Sequence, residues 1–76
     1  MEHFERITRH PGIMGGKACI RGLRVTVSTI LGLLAAGHSM ENILADYPYL
    51  EREDIMQALR YAARQTEERE LVLATA

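Results

Sequence analysis

The sequence is poor in the residues that staple or stiffen a small domain. It has one cysteine, two prolines and no tryptophan, and its aromatic side chains are one phenylalanine and three tyrosines. A single cysteine excludes an internal disulfide and a cysteine-based zinc ribbon. His3, His10 and His38 are scattered and show no metal-ligand spacing with Cys19, so neither metal nor cofactor is expected. No apolar run approaches the roughly 18 residues of a membrane span, and no signal peptide opens the chain. A cytoplasmic protein is the expectation. A large excess of charge of either sign is missing too: the net charge is −1, which argues against a generic nucleic-acid binder.

What is present fits one small globular domain. The 76 residues are 47% hydrophobic, an ordinary share that argues against disorder. A domain of this size buries roughly 60% of the surface its unfolded chain exposes, so its stability is marginal. Charge is unevenly spread, with net +3 over residues 1–24 and −4 over residues 25–76. Such asymmetry suggests two faces with different partners.

The pattern along the chain is mainly helical after a short extended arm. Residues 4–9, with Phe4 and Ile7 as apolar positions, read as a strand, as do Ala18–Arg21 and Leu23–Val25. His10-Pro11-Gly12 and Gly15-Gly16 break the chain between them. From Thr26 the period becomes helical: Val27, Ile30, Leu31, Leu34 and Ala35 form a stripe, Thr26 or Ser28 caps its start, and Gly37 suits the left-handed residue past its end. Ser39 caps a second helix over about 40–46 with Met40, Ile43 and Leu44 inward, stopped by Tyr47-Pro48. A third begins near Arg52 and runs to about 69, with Ile55, Ala58, Leu59, Ala62 and Thr66 as its core stripe. Its acidic start, Glu51, Glu53 and Asp54, suits the positive end of the helix dipole. The expected organisation is one domain: a β arm over 1–25, a trihelical core over 26–69 and a tail over 70–76.

The stretch "GGKACIRG" over residues 15–22 invites chemical readings. A phosphate-binding P-loop needs Gly, four residues, Gly-Lys and then Ser or Thr. Here Pro11 stands at the first glycine and Ala18 at the hydroxyl, so that reading fails. Lys17 and Arg21 flank Cys19 at two residues on either side, which on a strand would lower the thiol pKa. No base or second cysteine accompanies it, and a small half-buried side chain is the plainer reading. No pair of carboxylates stands out for acid–base work, and three short helices leave little volume for a cleft. No catalytic residue is assigned.

Helix–turn–helix geometry survives these exclusions. On the third helix Glu53, Gln57, Arg60 and Arg64 lie opposite the expected core stripe. Gln and Arg can read base edges or bind phosphate, and an ordinary solvated face is the alternative. With the cations of the arm, the candidate DNA-binding residues are Lys17, Arg21, Arg24, Gln57, Arg60 and Arg64. The acidic start of the third helix weighs against them, and the turn Tyr47-Pro-Tyr-Leu50 lacks glycine.

Taken together, Gly16, Lys17, Ile20, Gly22, Arg24, Val27, Gly37, Ile43, Leu44, Tyr47, Pro48, Leu50, Asp54, Ile55, Ala58 and Leu59 resemble the pattern of the DUF433 family, small proteins predicted to be antitoxins of prokaryotic toxin–antitoxin pairs. The sequence departs from that pattern at Ala18, Leu23, Thr26 and Glu51, mostly conformational positions. The resemblance implies a homeodomain-like trihelical fold with an N-terminal β arm, and a PIN-like ribonuclease toxin encoded beside it as partner. The expected protein is a non-catalytic homodimer that binds operator DNA and neutralises that nuclease. The alternative is a protein-interaction module that does not touch DNA. Leu71, Val72 and Leu73, apolar with no inward stripe left to join, are the candidate partner-binding residues.

Overall fold

The computed structural model describes residues 3–68. The tail with Leu71, Val72 and Leu73 lies outside the described residues. In chain order the elements are β1 (Ile7–Thr8), a 3-10 turn (Met14–Gly16), β2 (Cys19–Ile20), α1 (Val27–Ala35), α2 (Met40–Asp46) and α3 (Arg52–Glu68). The fold is mainly helical, three helices with a two-stranded antiparallel hairpin ahead of them, as expected. Among the described residues no helix is long and apolar enough to cross a membrane.

The hairpin is smaller than the sequence suggests. Ile7 faces Ile20 and Thr8 faces Cys19. The expected third strand over Leu23–Val25 is absent, because Arg21 (φ 45°) and Gly22 (φ 71°) turn the chain into the left-handed region. The segment then curls on itself: the Leu23 N–H donates to the Ile20 carbonyl at 2.7 Å and the Ile20 N–H to the Val25 carbonyl at 3.0 Å. Two-residue strands are marginal in water; these persist because Ile20 is fully buried among the helices.

The helix boundaries follow local chemistry. Thr26 caps α1, its Oγ1 accepting from the Thr29 N–H at 3.0 Å. At the other end Gly37 takes φ 98°, and two bonds close the turn, Gly37 N–H to Leu34 O and His38 N–H to Leu33 O, each 3.0 Å. This is the Schellman arrangement that a residue without Cβ permits. Ser39 caps α2 through the Asn42 N–H at 3.1 Å. For α3, Asp54 reaches back to accept the Glu51 N–H at 2.8 Å, the carboxylate half of a capping box.

The core is one cluster: Ile20, Val25, Val27, Ile30, Ile43, Leu50, Ile55 and Ala58. Ile20 and Val25 come from the segment expected to be an arm, so the arm and the helical unit share one interior. The buried face of α3 is also turned relative to expectation. Asp54, Ile55, Gln57 and Ala58 are buried, whereas Leu59 is 36% exposed and Thr66 lies on the surface. The physical reason is the hairpin, which packs on α3 and covers the side the helical pattern alone assigns to solvent.

Candidate functional site

Two polar constellations join the hairpin to α3. The first is centred on Asp54, whose carboxylate is wholly shielded from solvent. Its Oδ1 accepts from Arg6 Nη1 at 2.9 Å and from Arg21 Nε at 3.0 Å. Its Oδ2 accepts from Arg21 Nη2 at 2.9 Å and from the Glu51 N–H at 2.8 Å. Arg6 Nη1 also reaches Glu51 Oε1 at 2.6 Å, and Arg21 Nη2 donates to the Tyr49 carbonyl at 2.8 Å. Burial pushes the Asp54 carboxyl up, but the Arg21 hydrogen bonds, the Glu51 N–H and Arg6 outweigh it and hold the group below the ordinary carboxylate range. In return the bonds to Glu51 and Asp54 raise Arg6, and those to Asp54 raise Arg21. A buried carboxylate that is paired and fully hydrogen-bonded escapes the penalty of an isolated buried charge. Arg21 meets it from a left-handed backbone that non-glycine residues seldom adopt.

The second constellation is an open trough of about 480 Å³ between the hairpin connection, the start of α1 and the middle of α3. Ala18, Val27, Leu31 and Ala62 give it an apolar floor, and Arg9, Lys17, Ser28, Tyr61 and Gln65 a polar rim. Tyr61 is held edge-on to Phe4, the ring centroids 5.4 Å apart. Its hydroxyl oxygen accepts from Arg9 Nη2 at 3.2 Å and from Gln65 Nε2 at 3.1 Å. A second hollow is lined by Arg9, His10, Pro11, Gly15 and Gly16, of which Arg9, Gly15 and Gly16 also line the trough. The left-handed run Met14, Gly15, Gly16 (φ 49°, 67°, 82°) shapes its lip.

Comparison with known proteins places the sequence. Residues 7–62 match the family described as "Protein of unknown function (DUF433)". The chain belongs to the DUF433 family. A DUF433 member from Anabaena variabilis, solved by crystallography at 2.00 Å, superposes with a TM-score of 0.77 at 35% identity, over 83% of this chain and 62% of that one. An uncharacterized protein of Sinorhizobium fredii, y4eO, is 43% identical over 58 residues, 76% of this chain. This chain spans 26% of the length of that relative. The DUF433 match includes Arg9, Lys17, Arg21, Asp54, Gln57 and Tyr61 and ends before Gln65.

Within this DUF433 fold the six candidate DNA-binding residues do not form one surface. Gln57 is a correction: it is 3% exposed, and its Oε1 accepts the Arg6 backbone N–H at 2.6 Å. It belongs to the interior because the hairpin lies over it. Arg21 is bound to Asp54 and Tyr49 as described. Arg60 is paired with Glu53, and Arg64 with Glu67 at 3.0 Å. Lys17 and Arg24 are exposed and make no ion pair among the described residues. Cys19 is also placed differently from the half-buried expectation. It is 2% exposed and its Sγ lies 3.3 Å from the Lys17 carbonyl, so the thiol does not share an open face with the neighbouring cations. Sequence reading missed Arg6, Arg9, Tyr61 and Gln65. The one available signal was the alternation of "FERITR", which puts Arg6 and Thr8 opposite Ile7.

Proposed function

We propose that this DUF433 chain is a non-catalytic, antitoxin-type binding protein that neutralises a PIN-like ribonuclease by direct contact. The nuclease partner is what the family resemblance implies. The observation that favours protein contact over base reading is the condition of α3. Its would-be recognition side chains are engaged within the fold: Gln57 on the hairpin, Arg60 on Glu53 and Arg64 on Glu67. Beside them Met56, Leu59 and Ala63, spaced i, i+3, i+7, leave an apolar edge on the same helix, the pattern by which a helix docks into a partner's groove. Co-expression with such a PIN-like nuclease tests the reading. A complex that survives size exclusion supports it, and separate elution at tens of micromolar defeats it.

A second reading, a homodimer on operator DNA, is favoured by a different observation. Lys17 and Arg24 on the hairpin side are exposed and unengaged by any carboxylate among the described residues. A two-fold dimer would set two such surfaces on two half-sites. Light scattering at tens of micromolar and a gel shift on the upstream DNA across salt test it; a monomer with no shift removes it.

A further inference from the structure

We propose that the trough between the hairpin connection, α1 and α3 is a phosphate-binding site that takes the sugar–phosphate backbone of duplex DNA. The proposal deepens the DNA reading by moving the contact away from α3, and only the identity of the phosphate carrier rests on that reading.

Four features point to an anion with several oxygens. The trough and the second hollow are lined by the cations Arg9 and Lys17 and by no carboxylate. Val27 and Ser28, the first residues of the nine-residue α1, form one wall, so the positive end of that helix adds to the same potential. The Tyr61 oxygen already accepts from Arg9 and Gln65. As a phenol it keeps one O–H to donate. Finally, the second hollow shares Arg9, Gly15 and Gly16 with the trough, so the cation Arg9 borders both.

Arg9 and Lys17 on the connection and Tyr61 on α3 border one open trough, an arrangement that an anion with several oxygens can fill. The trough is open rather than enclosed, which favours a chain of phosphates over a single small ion. Backbone contacts of this type carry affinity and salt dependence but no sequence information, which suits a site built without a base-reading side chain.

The test is titration of the isotopically labelled full chain, followed by amide chemical shifts, with inorganic phosphate and with a labelled duplex of its upstream sequence. Anisotropy across about 50 to 200 mM salt gives the slope. Arg9→Gln and Lys17→Gln should each weaken duplex binding about fivefold and lower the salt slope by about 0.9. Tyr61→Phe keeps the ring on Phe4 and should lose about threefold, the scale of one hydrogen bond. Arg52→Gln, at the far end of α3, should change binding by less than about twofold. Shifts in the trough amides with both probes, lost in the variants, support the proposal. Duplex binding that keeps its full slope in Arg9→Gln and Lys17→Gln overturns the site while leaving the DNA reading standing. Trough shifts with phosphate but no duplex affinity overturn the nucleic-acid carrier. Stronger shifts with a polyaspartate peptide than with the duplex overturn it in favour of an acidic protein segment.

Discussion

Replacing Asp54 with Asn probes the ion-paired junction between the hairpin and α3. The substitution keeps the side-chain shape but removes the charge that two guanidiniums share, and it turns an amide N–H toward those donors. Breaking a buried ion pair by removing one partner costs about 3–5 kcal/mol. Here the side chains of Arg6 and Arg21 are 26% and 37% exposed and regain water, so the lower edge, about 3 kcal/mol, is expected. A 76-residue domain has about 4–11 kcal/mol of stability in total, so the loss is a large fraction. Urea unfolding at neutral pH would read it as a midpoint lower by roughly 3 M, taking a slope of about 1 kcal/mol/M. Glu51→Gln, which touches only the exposed side of Arg6, should cost less than about 1 kcal/mol. The pH dependence has a definite sign. A carboxyl held below its ordinary value stabilises the fold above about pH 4, and that contribution is lost as pH falls through the folded value. Asp54→Asn should therefore flatten the acid side of the stability profile. Equal losses for Asp54→Asn and Glu51→Gln, or an unchanged acid limb, would refute the reasoning.

Other expectations are local. Gln57→Ala should cost about 1–3 kcal/mol by leaving the part-buried Arg6 N–H without its acceptor, and a loss of DNA affinity at unchanged stability would restore Gln57 to a binding surface. Gly37→Ala, where an added Cβ meets no atom within 4 Å, should cost about 1 kcal/mol from backbone strain alone by thermal melting. The Cys19 thiol should resist a disulfide reagent until the domain unfolds; rapid labelling of the native protein would contradict its burial.

Much of the fold was legible because its signals are local. The caps at Thr26, one of the two candidates for α1, and at Ser39, the stop at Gly37 and the break at Tyr47-Pro48 each depend on a few neighbouring residues, and they stand within the positions the sequence offers. The face of α3 was not legible in the same way. Helical periodicity orders Ile55, Ala58 and Leu59 correctly as neighbours, but which flank is covered depends on a hairpin far away in sequence. That contact buries Asp54 and Gln57, polar residues that look like surface residues until Arg6 and Arg21 are placed beside them. The trough was hidden for the same reason. Arg9 and Lys17 lie on the hairpin connection and Tyr61 and Gln65 on α3, and only the fold brings the two pairs together.

The central proposal is that the chain neutralises a nuclease by binding it. The most direct measurement adds the purified chain in rising molar ratio to a PIN-like ribonuclease of the kind the family resemblance implies and follows cleavage of an RNA substrate. The account predicts that activity falls in proportion to added chain and is abolished near stoichiometric ratio. A nuclease that stays fully active in large excess of the chain would contradict it.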